Sequence, residues 1–409
     1  MNGVGITLAI LSILIGVLGA LRQEVAAAFV AFRNRYFHTN EGVSGFWHTA
    51  WDKGDNRPQS EILRLDAFGK TITGSVVFSV DRQSQYHIQG ELAESCVISG
   101  TWANRNLAYR GFLHATIADS LDYADGYWTG TSLTNKRVKS GTWKMRKITT
   151  VPSDLKLRLD FDAFSNALRS VVAQHEARYA DGATEYDVAF ALNDNQSLQL
   201  RLVRGVFDPM LGNISPITAK YLMRLETASA LDLGCGSGFL GLYLAKYKGA
   251  QVVAVDSSDR AITCTTENAL CNGVNGKVTC LRGELYAPVY TACPLPDQFD
   301  LIVANLPFTT RHNYDSALSG YNFAERHAPE RFRSMFCASP GLLRTVILGA
   351  AYFLRLGGRL VIPVGASADL AEVSNAIALS GMPERVGSIS TVFGEDIAIL
   401  DLQKTEAYP

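Results

Sequence analysis

A glycine-rich turn between an apolar strand and an apolar helix constrains the fold of this chain more than any other feature. Residues 230–247 read ALDLGCGSGFLGLYLAKY, with Gly234, Gly236 and Gly238 in the turn. Glycine lacks a Cβ, so the backbone can bend sharply and a ligand can approach it closely. Strand and helix patterns alternate from this region to the end of the chain. The pattern predicts an α/β fold with a doubly wound, Rossmann-like parallel sheet.

The glycine turn by itself is compatible with two kinds of cofactor. Residues 236–241, GSGFLG, also satisfy the dinucleotide-binding pattern GxGxxG. Asp256 closes the next strand, QVVAVD, where a carboxylate can accept the ribose hydroxyls of either cofactor. Asp232 favours S-adenosylmethionine, because an acid just before the first glycine suits a cationic, amine-bearing group and repels a pyrophosphate.

The turn after the fourth predicted strand of the sheet supplies a second chemical motif. The strand FDLIVA is followed directly by Asn305, Leu306, Pro307 and Phe308. The Asn305 side-chain oxygen and the Leu306 carbonyl can each accept an N–H, which localises the lone pair of a weakly nucleophilic nitrogen. Pro307 fixes the turn, and Phe308 offers its face to a planar group. Asn and Pro are also common in ordinary turns, so these four residues alone do not indicate a functional site. The glycine loop that precedes them in the chain is what favours the functional interpretation.

Together these segments resemble the class I methyltransferases that modify a planar amide or amino nitrogen. The resemblance covers roughly residues 200–400, and its motifs are LDLGCGSG, VVAVDSS, NALCNGVNGKVTCLRGEL and FDLIVANLPF. Release-factor glutamine methyltransferases and rRNA guanine methyltransferases usually carry Asn-Pro-Pro-aromatic at the last motif, whereas rRNA adenine dimethylases tolerate Leu in its second position. The resemblance implies S-adenosylmethionine as the cofactor, with Asn305 to Phe308 as the catalytic turn.

The same resemblance implies two further cofactor contacts. It places Glu284, in LRGEL, near the adenine amino group, although a solvated loop acid would look the same. It also places Phe207, in RGVFDP, as a cover over the cofactor, although a core phenylalanine would look the same. No residue set with metal-ligand spacing accompanies these positions, so no metal is predicted.

The first forty residues predict a membrane anchor and a juxtamembrane helix. Residues 4–21 carry no charge, and eighteen helical residues span about 27 Å, close to the thickness of a hydrocarbon core. A cleaved signal peptide and a buried core helix are the alternatives. Arg22, Arg33 and Arg35 follow the apolar run, which predicts a single-pass protein with the later domains in the cytoplasm.

Residues 41–148 predict a β-rich binding module between anchor and enzyme. Short alternating stretches separated by Gly, Asn and Asp are typical of a small antiparallel barrel or sandwich. A Gly-x-Trp element recurs at positions 45, 100, 126 and 141. It is either a degenerate internal repeat or, more simply, a set of tryptophans that fill the core of the module. A small ligand or a protein could be its partner. The residues from 149 to 409 then form the predicted methyltransferase domain.

Charge and cysteine content narrow the possible partners. The net charge is −1, so the protein has no overall positive electrostatic field. A nucleic acid would therefore have to bind at a local site. Seven cysteines without a CxxC pair suit a reducing compartment. The segment 309–341 is mildly basic, with Arg311, Arg326, Arg331 and Arg333, and could contact a phosphate or an acidic peptide, or form a solvated lid.

The sequence therefore predicts a membrane-anchored, S-adenosylmethionine-dependent N-methyltransferase acting on a protein or a nucleic acid. Two alternatives remain open. One is a cofactor-binding sensor without catalysis. The other is a membrane-anchored, ligand-sensing β-barrel protein in which the methyltransferase domain is accessory.

Overall fold

A computed structural model describes residues 42–406 of the chain. It leaves out short stretches within them, at 53–57, 82–84, 94–95, 105–108, 133–136, 151, 153, 180–181, 194–195, 293–296 and 325–327. The predicted anchor, residues 1–40, lies outside the described residues. Among the helices that are described, none combines the length and the apolar character that crossing a bilayer requires. The chain divides into two compact units: the first contains most of the residues up to Lys147, and the second contains the residues from Ile148 onward together with the short segments 55–60 and 78–82.

The first unit is a closed antiparallel barrel in which each strand pairs with the next and the last pairs with the first. Closure of the first strand on the eighth decides between the barrel and the sandwich that the sequence left open. The strands are β1 (Gly45–Asp52), β2 (Pro58–Phe68), β3 (Thr71–Ser79), β4 (Tyr86–Leu92), β5 (Val97–Asn104), β6 (Tyr109–Ile117), β7 (Tyr123–Ser132) and β8 (Val138–Lys147).

The Gly-x-Trp elements serve packing in this barrel. Trp47 and Trp143 are 0% and 3% exposed and belong to the barrel core. At Gly126 a Cβ atom would stand 2.1 Å from the carbonyl oxygen of His114 on the neighbouring strand. Glycine therefore lets the strands approach closely, while the tryptophan two residues later fills the interior.

The second unit is built on a seven-stranded sheet with the order β13-β12-β11-β14-β15-β17-β16. The parallel strands are β11 (Ser229–Leu233), β12 (Gln251–Asp256), β13 (Val278–Arg282), β14 (Phe299–Val303) and β15 (Leu354–Gly365). An antiparallel pair, β16 (Glu384–Val392) and β17 (Glu395–Gln403), completes the sheet. A separate hairpin comprises β9 (Glu185–Asn193) and β10 (Gln196–Val203). The doubly wound α/β prediction is confirmed.

Helices accompany this sheet in the alternation expected from the sequence. They are α1 (Phe161–Ala177), α2 (Ile214–Leu222), α3 (Phe239–Tyr247), α4 (Asp259–Cys271), α5 (Ala287–Ala292), α6 (Arg311–Ala317), α7 (Ala328–Phe336), α8 (Leu342–Phe353) and α9 (Leu370–Ser380). The chain order changes direction between β11 and β14, the two central strands. Ligands of open α/β sheets bind beyond the carboxyl ends of strands at such a switch point, and the predicted site residues follow these two strands.

Candidate active site

A cavity of about 490 Å³ lies beyond the carboxyl ends of β11, β12 and β14. Most of the predicted site residues line it, namely Phe207, Gly234, Gly236, Asp256, Glu284, Asn305, Leu306, Pro307 and Phe308. Asp232 and Gly238 are not among its lining residues in the described chain. The fold thus brings two motifs that are about 70 residues apart in the chain into one cleft.

The glycine loop after β11 is shaped by left-handed backbone and by close packing. Gly234 has φ +69°, and a Cβ there would stand 2.2 Å from Cδ2 of Leu306. Gly236 has φ +55°, and among the described residues the single heavy atom within 4 Å of its missing Cβ is Cγ1 of Val206 at 3.9 Å. The loop therefore packs directly on the Asn305–Phe308 turn at one glycine and opens to the cavity at the other, as close approach of a ligand requires.

Asp256 links this loop to the one that follows β12. One carboxylate oxygen accepts the Gly236 N–H at 3.0 Å, and the other accepts the Ser258 N–H at 2.9 Å. An ionised carboxylate has about four lone-pair sites, so each oxygen can still accept a ribose hydroxyl. The carboxylate is thus fixed at the wall of the cavity in the place predicted for a ribose contact.

Asp232 lies away from the cavity, within the interior of the domain. Its side chain is 2% exposed, and Oδ2 accepts the Gly241 N–H at 2.8 Å in the first turn of α3. Burial raises the pKa of this carboxyl group to about 7. The structure therefore gives Asp232 a supporting position under α3, and its predicted contact with the methionine portion of the cofactor stays a prediction.

Glu284 and Phe207 both reach the cavity wall. Glu284 is exposed and follows Gly283 at the end of β13. The half-buried ring of Phe207 packs against His175, with ring centroids 6.3 Å apart, and against the edge of Phe336 at 5.5 Å. Phe207 therefore contacts an aromatic cluster on one side and the cavity on the other. Its position fits the predicted cover, and the adenine and cover roles stay predictions.

Asn305 is oriented by a residue that the sequence did not single out. Its amide nitrogen donates to Oγ of Ser215 at 2.8 Å, and Ser215 is 4% exposed in the first turn of α2. Within the described chain, the Asn305 amide oxygen has no hydrogen-bond partner. The side chain thus keeps its acceptor available to a group in the cavity. A serine in a helical first turn carries no sequence signal for this contact, because it lies 90 residues away.

Phe308 is less exposed than the stacking prediction requires. Its side chain is 7% exposed and belongs to the main hydrophobic core of the domain. The half-buried rings on the cavity wall are instead those of Phe207, Phe336 and Phe393. Stacking of a planar group on Phe308 stays a prediction, and these three rings offer more accessible surface for the same purpose.

Glu395, at the start of β17, is a second residue that sequence reasoning missed. It lines the cavity and is 3% exposed, and Oε2 accepts the Ser367 N–H at 2.8 Å. Burial raises the pKa of this carboxyl group to about 7. A lone acid in a hairpin has no motif spacing, so only the tertiary structure shows that it belongs to the site.

The basic segment 309–341 contains the helices α6 and α7, which pack on α1 in a separate apolar cluster. Arg169 of α1 donates to the carbonyls of Ala317 and Ser319, each at 2.9 Å. Two arginines of the segment, Arg311 and Arg333, approach Asp315 at 3.4 Å. Arg326 and His327 lie outside the described residues. Five members of this cluster also line the cavity, namely Phe164, Leu168, Met335, Phe336 and Cys337.

Comparison with known proteins finds similarity over the segment that contains the glycine loop and the Asn305–Phe308 turn. Residues 206–327 match the family model described as Methyltransferase small domain. The chain is 25% identical to the ribosomal protein uL3 glutamine methyltransferase of Francisella tularensis, over 45% of this chain and 52% of that one. It is 29% identical to the release factor glutamine methyltransferase of Cereibacter sphaeroides, over 46% of this chain and 66% of that one.

A third relative is named for an RNA substrate. The chain is 33% identical to the ribosomal RNA small subunit methyltransferase C of Alcanivorax borkumensis, over 24% of this chain and 28% of that one. The chain thus spans between about a quarter and two thirds of these relatives' own lengths. The matched segment is a methyltransferase domain, and the methyl donor of such a domain is S-adenosylmethionine.

Proposed function

We propose that this protein is an S-adenosylmethionine-dependent N-methyltransferase acting on a planar amide or amino nitrogen of a protein or a nucleic acid. The observation that carries the proposal is the orientation of Asn305. Its amide nitrogen donates a hydrogen bond to Ser215, which leaves the amide oxygen available as an acceptor. Asn305 and the glycine loop line the same cavity. A planar amide or amino nitrogen is a weak nucleophile because its lone pair is delocalised. A hydrogen-bond acceptor that is oriented before the reaction localises this lone pair.

The residues present fit the cofactor. The missing Cβ of Gly236 leaves open space at the loop, Asp256 presents two fixed oxygens, and Glu284 reaches the same wall. When bound, S-adenosylmethionine supplies an electrophilic methyl group on a sulfonium. The cavity has no lysine, arginine or histidine among its described lining residues, which suits a cationic cofactor better than a pyrophosphate.

The turn after β14 then has the chemical task of presenting the nitrogen. The Asn305 amide oxygen and the Leu306 carbonyl each accept a hydrogen bond from one N–H of the substrate nitrogen. These two hydrogen bonds localise the lone pair of that nitrogen. Pro307 keeps the two acceptors convergent through its fixed φ. Packing of Leu306 against Gly234 holds this turn next to the cofactor loop. Holding the two reactants together contributes most of the rate enhancement in such a site.

The function is tested by methyl transfer from labelled S-adenosylmethionine to the protein and RNA fractions of a whole cytoplasmic extract. We expect label in one fraction with the parent protein. Asn305→Ala should lower turnover by about 10²- to 10³-fold, because it removes a charge-localising acceptor. Ser215→Ala should give a smaller loss, because it leaves the amide oxygen present but free to rotate. Both variants should bind S-adenosylhomocysteine as the parent does in calorimetry.

Two results would reject the proposal. If the parent binds S-adenosylhomocysteine but labels no fraction, the protein is a cofactor-binding sensor. If Asn305→Ala labels as well as the parent, the turn is only structural.

We also propose that residues 4–21 anchor the protein in a membrane with the later domains in the cytoplasm. The uncharged run and the three arginines that follow it support the proposal. A reporter fused after Pro409 should be active in the cytoplasm, and the protein should sediment with membranes. Recovery of a full-length protein in the soluble fraction would contradict the anchor.

A further inference from the structure

The hairpin that joins β16 to β17 has an unusual residue at its tip. Val392 pairs with Glu395, so Phe393 and Gly394 form a two-residue turn. Both have positive φ, +57° and +77°, as a type I′ turn requires. Asparagine and glycine are the usual residues of such a turn, whereas a bulky side chain at positive φ strains the backbone. Strain of this kind persists only where the surrounding structure holds it, and it concentrates at functional sites.

The chain around the start of α1 holds this turn in place. The Gly394 carbonyl accepts the Asp160 N–H at 2.7 Å. At Gly394 a Cβ atom would stand 2.4 Å from Cβ of Ala163, in the first turn of α1. Next to the turn, Asp396 is paired with Arg158 at 3.1 Å. The strained turn is therefore fixed by contacts with a neighbouring element.

The ring of Phe393 packs on the segment that precedes α2. At Gly212, which has φ +118°, a Cβ atom would stand 3.1 Å from Cε2 and 3.4 Å from Cζ of the ring. Asn213, the N-cap of α2, also has positive φ, and its side chain forms no capping hydrogen bond. A helix without a side-chain cap depends on packing to fix its first turn, and the Phe393 ring supplies such a contact.

That first turn of α2 orients the catalytic asparagine. Ser215 lies three residues after the ring contact, and its Oγ accepts from Nδ2 of Asn305 at 2.8 Å. In the last turn of α2, the Tyr221 hydroxyl donates to Asp401 of β17 at 2.6 Å. Both ends of α2 therefore contact the β16–β17 hairpin, and the end that orients Asn305 does so through the Phe393 ring.

We propose that Phe393 is a positioning residue of the methyl-transfer site: its ring fixes the first turn of α2, and Ser215 in that turn fixes the amide of Asn305. The inference rests on the proposed function, in which the Asn305 oxygen accepts an N–H of the substrate nitrogen. The ring contact accounts for a phenylalanine at a position whose backbone favours asparagine. Because the ring also lines the cavity, the tests must separate positioning from direct contact with the substrate.

The first test combines Phe393→Asn with Ser215→Ala in the full-length protein. The assay is labelled methyl transfer to the fraction of cytoplasmic extract that accepts label from the parent. We expect Phe393→Asn to lower turnover by about 3- to 10-fold, and by no more than Ser215→Ala does. The double variant should match Ser215→Ala, because both substitutions break the same series of contacts. S-adenosylhomocysteine affinity should stay at the parent value, because the glycine loop and Asp256 are unchanged.

The second test reads the state of the Asn305 amide without any methyl transfer. Its side-chain NH₂ signals in ¹⁵N-labelled protein are identified by their absence from Asn305→Ala. The hydrogen bond to Ser215 slows exchange of these protons with water in the parent. Phe393→Asn should speed this exchange by at least about threefold, toward the rate in Ser215→Ala.

Leu121→Asn is the matched control. Leu121 lies in a turn of the barrel and has φ +59°, so the same substitution relieves similar strain at a position far from α2 in the chain. It should change neither turnover nor the exchange of the Asn305 amide. Thermal unfolding followed by circular dichroism completes the comparison. Phe393→Asn should not lower the melting temperature, because asparagine suits the turn.

The outcomes distinguish this inference from the proposed function. Additive losses in the double variant, or parent-like exchange in Phe393→Asn, would overturn the inference and assign the ring to substrate contact. A lower melting temperature of Phe393→Asn would overturn it in favour of core packing. Failure of the parent to transfer label would reject the proposed function, whereas the exchange measurement would still test the contacts from Phe393 to Asn305.

Discussion

At the scale of single residues, the domain contains buried carboxyl groups whose ionisation opposes folding. Asp232 is the clearest case, with a pKa raised from 3.8 to about 7 by burial. Because the folded state holds this proton more tightly than the unfolded state, its stabilising effect is complete below pH 3.8 and is lost as pH rises to about 7. Above that pH the buried charge destabilises the domain.

Asp232→Asn should therefore remove part of the pH dependence of stability. The asparagine oxygen can still accept the Gly241 N–H, whereas the charge is gone. We expect the variant to gain stability relative to the parent at pH 8, on the order of a few kcal/mol, and to gain little at pH 4. Chemical unfolding of the two proteins without cofactor at both pH values measures the difference. An equal effect at both pH values would show that Asp232 is not protonated in the folded domain.

At the scale of elements, the loops after β11 and β14 are packed on each other through one glycine. Gly234→Ala introduces a Cβ that overlaps Leu306 and also strains a backbone with φ +69°. Gly273 has the same φ of +69° with nothing within 4 Å of its missing Cβ, so Gly273→Ala is a control for backbone strain alone. Strain of this kind costs about 1 to 3 kcal/mol.

We expect Gly234→Ala to weaken S-adenosylhomocysteine binding by at least about tenfold, whereas Gly273→Ala leaves the affinity unchanged. The double variant Gly234→Ala/Leu306→Ala should recover part of the loss, because it removes the overlapping side chain. Calorimetry of the three variants measures this coupling. If the double variant binds no better than Gly234→Ala, the contact between the two loops is not the cause.

At the scale of the whole molecule, the two units carry different spectroscopic probes. All five tryptophans fall between positions 47 and 143, within the barrel segment, whereas the described helices all begin after Lys147. A ligand stabilises only the unit that binds it, by about 2.7 kcal/mol at a hundredfold excess over Kd. S-adenosylhomocysteine should therefore raise the melting temperature seen by helical circular dichroism and leave the tryptophan fluorescence transition unchanged. Equal shifts of both signals would show that the units unfold together.

The sequence by itself determined the features that depend on local pattern. The alternation of apolar strands and helices predicts the doubly wound sheet, and the Asn305–Phe308 turn follows β14 directly. The carboxyl ends of parallel strands meet at one edge of a sheet, so the order of motifs along the chain is enough to assign the turns at Gly234 and Asn305 to one site. The short alternating stretches likewise predict the β-rich module, although only pairing of β1 with β8 closes it into a barrel.

Only the tertiary structure decided how side chains distant in the sequence meet around that site. Ser215 orients Asn305 across 90 residues, and Glu395 reaches the turn because β17 returns antiparallel beside β15. The interior position of Asp232 and the burial of Phe308 also depend on packing between elements. Hydrophobic periodicity specifies which face of an element is buried, but not which residue of another element it will contact, because that depends on strand order, register and helix packing.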